Sequence, residues 1–179
     1  MTASERKTLL AELASSQAQL LQLVSSLTPQ QWAFHESPDR WSIAEIVEHL
    51  IVFEGFVGNA IAKALAEPPQ PEKKALAPGN EPRILGLASS RHTKIVAREA
   101  ARPTGRWTDP DQLIAEFRKA RTQTMAFVTE TNADHRSHFF AHLIFSDLDC
   151  YQWLILLSSH IARHAAQIEE IAANPAYPS

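Results

Sequence analysis

His160 and His164 stand four residues apart in SSHIARHAAQIEEI, and His49 closes WSIAEIVEHL much earlier in the chain. Both segments read as long amphipathic helices. Residues at i and i+4 share one helix face, so His160 and His164 can point at the same spot. A third imidazole from a facing helix completes a three-nitrogen site with room for water or substrate. That is the layout of a catalytic divalent-metal centre rather than a closed structural one. Three neutral imidazoles leave the ion its full +2 charge, enough to lower the pKa of bound water toward about 7 or to polarise a substrate oxygen or sulfur. Nitrogen ligands favour Zn, Ni, Co or Fe over Mg or Ca and do not choose among the first group. The competing reading is plain: a helix can carry two histidines four apart and bind nothing. Against it stands the cost of three imidazoles at the edge of an apolar core without hydrogen-bond partners, which a shared metal removes at once.

The elements that must position these residues follow from apolar periodicity. Leu9, Leu10, Leu13, Leu20, Leu23, Val24 and Leu27 mark a first long helix over about 4–27. Thr28-Pro29-Gln30-Gln31 is a capping box with proline at the first helical position, and Pro38 soon limits it to a short turn. Ser42-Ile43-Ala44-Glu45 is a second capping box and opens the second long helix, which should end near Glu67 ahead of Pro68-Pro69. Its stripe is Ile43, Ile46, Val47, Leu50, Phe53, Val57, Ile61 and Leu65, and His49 borders it. Asp109-Pro110 starts a third helix running to about Thr131. Ser146 or Asp147 can cap the fourth, which runs to about Ala173 with His160 and His164 in its apolar stripe. Residues 68–108 form an irregular connection rich in proline, with a short helix within Ile84–Arg91. A connection that long can cross over the bundle and let two helices lie parallel. The expectation is an all-α, four-helix bundle in a single domain, 1–179, with a long crossover between its second and third long helices.

Composition narrows the function classes. The chain has 179 residues with 17 basic against 20 acidic side chains and a net charge of −3, which argues against a generic nucleic-acid binder. Its longest apolar run, around Trp153–Leu157, is too short to span a bilayer, and the N-terminus has no signal core. Cys150 is the only cysteine, which excludes an intrachain disulfide and a cysteine-rich zinc site. A soluble cytoplasmic protein is the simplest expectation, with no nucleic acid and no membrane as partner.

WSIAEIVEHL and HIARHAAQI resemble the two signature segments of the DinB/YfiT-like superfamily, and REAARPTGRWTD and HLIFSDLDCYQWL resemble its connecting segments. The likeness spans nearly the whole chain. It implies a four-helix bundle holding a divalent metal on His49, His160 and His164, frequently as a homodimer. It also implies two activities on a small-molecule substrate: hydrolysis through metal-activated water, or transfer chemistry on a low-molecular-weight thiol. The non-enzyme alternative is a metal-binding or stress-response protein without turnover. Relatives often carry His-Pro followed shortly by Gly before the last helix. This chain has His142-Leu143 and then Ser146, so the loop there is expected to differ.

Other candidates rank lower. His135, His138 and His142 would share a face if helical and could form a second metal site, but a loop leading into a helix fits their neighbours better. His35 and His92 fall in loop-like surroundings and read as surface residues. Glu45 is the capping-box acid and secondarily a group that could orient an imidazole, Glu48 faces solvent or pairs with Arg163, and Gln167 lines the site or supports it. Arg40, Arg83, Arg102 and Arg106 could hold an anionic substrate, though solvated loop charge is the default. Cys150 reads as a buried small residue rather than a nucleophile. No catalytic carboxylate can be placed beside the triad from sequence, which disfavours a hydrolase of the metalloprotease kind.

Overall fold

The computed structural model describes residues 1–76, 79–86 and 99–179. Four long helices carry it: α1 (Ala3–Val24), α3 (Ile43–Ala66), α5 (Pro110–Glu130) and α6 (Cys150–Ala172), with the one-turn α2 (Pro29–Ala33) after the first. Their starts are set by side chains that satisfy orphan N–H groups. Thr2, Thr28 and Ser42 each form a full capping box, and Asp109 accepts from Gln112 N ahead of Pro110. The connection contributes a 3-10 turn at Pro71–Leu76, the short helix α4 (Glu81–Gly86) and a second 3-10 turn at Glu99–Ala101. The short helix thus begins earlier than the expected Ile84. The rest of that expected span and His92 lie outside the described residues.

α1 packs against α5 and α6, and α3 packs against the same two helices. The bundle is therefore a ring in which α1 lies diagonally from α3 and α5 diagonally from α6. One end of its core is built from Leu9, Leu13, Val57, Ile61, Trp153 and Leu157, the other from Leu20, Ile43, Ile46, Leu50, Phe117 and Ile161. His160 stands on α6 between Leu157 of the first group and Ile161 of the second. By length and composition α3 would also pass for a membrane span, but its apolar stripe is buried within this core.

Two features of the fold were not expected. The histidine-rich stretch is not helical: it forms an antiparallel hairpin of β1 (Phe139–His142) and β2 (Ser146–Asp149), with Phe139 opposite Asp149 and His142 opposite Ser146. Ser146 takes φ +60°, the left-handed conformation that glycine favours, so the tight turn keeps a glycine-type geometry without a glycine. The hairpin also moves the start of the last helix. Ser146 and Asp147 belong to β2, and the cap is Asp149, in a capping box with Gln152.

Two arginines fasten the ends of the bundle. Arg6 on α1 donates to the Val128 carbonyl and, at 2.9 and 2.6 Å, to those of Thr129 and Thr131, closing the C-terminus of α5. Arg136 meets Glu5 at 2.5 Å, Glu81 at 2.7 Å and Asp149 at 3.0 Å, with its guanidinium over the Tyr151 ring. It thereby ties the first turns of α1, α4 and α6 together.

Candidate metal centre

His49 on α3 and His160 and His164 on α6 converge. His49 Nε2 lies 3.2 Å from His160 Nε2, and His164 Nε2 lies 3.1 Å from the same atom. One ring nitrogen from each residue falls within 4.8 Å of the other two, the only such group of potential metal ligands among the described residues. Nitrogens bound about 2.0–2.1 Å from one ion at tetrahedral angles stand roughly 3.3–3.4 Å apart, so the two distances to His160 Nε2 are close to those of a chelating set.

The far side of two rings decides their tautomers. His49 Nδ1 lies 2.5 Å from the Ala101 carbonyl, which can only accept, so the proton is on Nδ1 and the Nε2 lone pair faces the centre. His164 Nδ1 meets Gln167 Oε1 at 3.0 Å, with the same consequence. A hydrogen-bonded outer nitrogen of this kind is the usual support of a metal-bound histidine. His160 Nδ1 is buried without a partner. Without a cation, His160 Nε2 has at most one proton to offer to the two facing lone pairs of His49 and His164. A divalent cation satisfies all three, and the donor set fits such an ion.

Burial also keeps two of the imidazoles in the form a metal needs. Desolvation lowers the pKa of His49, against the Ala101 hydrogen bond. It places that of His160 well below the ordinary value, reinforced by the charges His164, His49, Arg163 and His142 would carry. Neutral histidine is the ligand. The rings pack against aromatics: Trp41 lies 4.9 Å from His49, and Phe53 lies 4.2 Å from His160, centroid to centroid.

The DinB superfamily profile matches residues 12–168, which includes all three histidines. The chain belongs to the DinB superfamily. It is 24% identical over 135 residues to YuaE of Bacillus subtilis (strain 168), an uncharacterized protein, covering 75% of this chain and 79% of that one. Its fold is similar to that of YfiT from Bacillus subtilis, described as a probable metal-dependent hydrolase with an unusual four-helix bundle topology. That likeness has a TM-score of 0.58 at 16% identity and covers 96% of this chain and 88% of the other. It establishes the superfamily's four-helix architecture for this chain.

Other residues fall where the superfamily motifs alone would not place them. Glu48 does not face solvent: it is 2% exposed, and its carboxylate accepts from the connection. Oε1 takes Thr104 N at 2.9 Å, Thr104 Oγ1 at 3.1 Å and Arg106 N at 3.2 Å, and Oε2 takes Gly105 N at 3.0 Å. The sequence hid this because the partners, three backbone amides and a hydroxyl, are more than fifty residues away. Glu45 stays with its cap and lies 3.7 Å from His35, an exposed loop residue, rather than orienting a triad imidazole. Gln167 takes the supporting role.

His135, His138 and His142 are not a second metal site. His135 Nδ1 meets the Ala133 carbonyl and His138 Nδ1 the Asp134 carbonyl, while His142 Nδ1 accepts from the amides of Ile144 and Phe145. Cys150 is fully buried, and burial pushes its thiol up to about 12, which removes it as a nucleophile. Arg40 pairs with Glu36 and Glu170, and Arg83 binds Asn80 and lies over Phe145, so both are committed to structure. The Arg106 guanidinium lies over Trp107.

Sequence reading missed one further pair. Glu54 on α3 and Arg121 on α5 are 3% and 0% exposed, with Oε1 and Nε 3.1 Å apart. The signal was present: Glu54 falls between Leu50 and Val57 in the apolar stripe, and Arg121 one turn after Phe117.

Proposed function

We propose that this chain is a metal-dependent enzyme whose His49, His160 and His164 hold one divalent transition-metal ion and act on a small-molecule substrate. The observation that carries the reading is the convergence of three Nε2 atoms, 3.1 and 3.2 Å apart along its two short edges, with two of the rings fixed from behind. Bound there, the ion supplies Lewis acidity that lowers the pKa of a coordinated thiol or water. The chain's own part is to hold three neutral imidazoles in place and to surround them with apolar rings that exclude bulk water.

Thiol transfer is the chemistry these surroundings favour. A hydrolase of the metalloprotease kind needs a carboxylate free to take a proton, and the two glutamates nearest His49 in sequence are engaged. Glu48 is saturated by four donors, and Glu45 holds the α3 cap. A metal-held thiol needs no such base, because coordination itself removes its proton. Hydrolysis is the second reading, and the description of YfiT is what favours it.

Elemental analysis of tag-free protein, alone and after reconstitution with Zn, Ni, Co or Fe(II), tests the site; His49→Ala serves as control. About one ion per chain, lost in the variant, is expected. The loaded protein is then given a low-molecular-weight thiol with an electrophile, and separately ester and amide substrates. A thiol adduct seen by mass spectrometry supports transfer. Turnover of the esters or amides alone replaces it with hydrolysis, and failure to take up any ion sinks the metal reading.

A further inference from the structure

Glu48 and His49 are neighbours on α3, about 100° apart around the helix, yet both reach the same stretch of the connection. His49 meets the Ala101 carbonyl, and Glu48 gathers the amides of Thr104, Gly105 and Arg106. Three successive N–H groups converging on one carboxylate form an anion nest, and their dipoles offset a charge that burial alone would penalise. Gly105 takes φ +73°, which lets the Arg106 amide follow the Gly105 amide onto the same carboxylate. Between the two anchors lie only Arg102 and Pro103, and Arg102 N closes the 3-10 turn on the Glu99 carbonyl at 3.0 Å. The nest therefore fixes where the Ala101 carbonyl can be.

We propose that Glu48 is a positioning residue of the metal centre: by holding Thr104–Arg106 it sets the Ala101 carbonyl on His49 Nδ1, so metal affinity and the docking of the 99–106 segment are coupled. This inference rests on the three-histidine reading above. The carbonyl fixes the ring's tautomer and direction, and supports of this kind are commonly worth 10–100-fold in metal affinity. Coupling is reciprocal, so a bound ion tightens the segment as much as the segment tightens the ion.

The test compares wild type, Glu48→Gln and Gly105→Ala. Glutamine keeps one oxygen but turns an NH2 group toward backbone donors. Alanine at 105 meets no atom within 4 Å, so it acts only through the left-handed backbone and leaves every α3 side chain unchanged. Three quantities are read: metal affinity by chelator competition, the His49 ring tautomer by nitrogen NMR of the metal-free protein, and hydrogen exchange of the 104–106 amides with and without Zn.

Wild type should show the Nδ1–H tautomer and slower exchange at 104–106 when Zn is added. Both variants should lose roughly tenfold or more in affinity, mix their His49 tautomers and lose the metal-dependent protection. A merely structural Glu48 would lower thermal stability and leave tautomer and affinity alone. Affinities within twofold of wild type, with an unchanged tautomer, overturn the proposal. Should Glu48→Gln fail to fold, Gly105→Ala decides by the same readings. Wild type that binds none of Zn, Ni, Co and Fe(II) defeats the three-histidine reading itself, an outcome distinct from wild type and variants binding alike.

Discussion

Replacing His160 by alanine separates a metal site from three histidines that happen to meet. His160 is the shared vertex, since both short nitrogen–nitrogen distances run to its Nε2. In the metal-free protein its loss should be mild. Its Nδ1 has no partner to lose and its Nε2 can bond only one neighbour, so the lost hydrogen bond costs about 1 kcal/mol, to which the lost packing on Phe53 adds. With metal the difference is large. An ion present at 100 times its dissociation constant stabilises the fold by about 2.7 kcal/mol. For a chain of this size that raises Tm by roughly 5–10 °C. If two ligands bind a hundredfold more weakly, the same ion concentration gives only about 0.4 kcal/mol, or roughly 1–2 °C. Thermal melts of apo and Zn-loaded protein, followed by far-UV circular dichroism, read both numbers. Equal Zn-induced shifts in wild type and His160→Ala would refute the shared site, and so would complete loss of helix in the apo variant.

Two further expectations concern the fold that carries the site. Removing Arg121 alone, as Arg121→Met, leaves the Glu54 carboxylate buried and should cost about 3–5 kcal/mol, whereas Arg121→Met with Glu54→Leu should recover most of it; equal losses in single and double variants by urea unfolding would contradict this. Stability of the apo protein should fall with acid, because desolvation lowers the pKa of His49, His135 and His160. A lowered histidine binds fewer protons folded than unfolded, so its contribution is intact above the unfolded value of about 6.5 and is lost as pH falls toward the folded one. Each such group removes about 1.4 kcal/mol per pH unit in that window, and a Tm that stays flat from pH 7 to 5 would contradict the shifts.

How much was readable from the chain depended on whether an interaction was local. Capping boxes lie within four residues, so Thr28 and Ser42 announced α2 and α3 from sequence. The triad was readable because helical periodicity put His160 and His164 on one face, and because the superfamily motifs supplied the third member. Asp149 was passed over as the α6 cap because Ser146 and Asp147 came first; only pairing of β1 with β2 commits those two to a strand. Glu48 was misjudged for a deeper reason. A carboxylate beside an arginine-bearing surface usually faces water, and nothing in the pattern of α3 shows that a loop's amides will arrive to solvate it.

α3 solves the problem of a buried carboxylate twice, by different means. Glu54 meets a full positive charge on α5, while Glu48 meets only the partial charges of three amides and a hydroxyl. The two solutions have different consequences. The Glu54–Arg121 contact joins two helices that also share an apolar core, and its Oε1 and Nε make no well-aligned hydrogen bond, so it can be replaced by apolar side chains. The Glu48 nest joins a helix to an irregular segment, is fully hydrogen-bonded, and has no apolar substitute, because the three amides would then be orphaned. A helix bundle alone could bring three imidazoles together. Fixing the protonated nitrogen of His49 takes an acceptor from outside the bundle, and the long connection supplies it at Ala101.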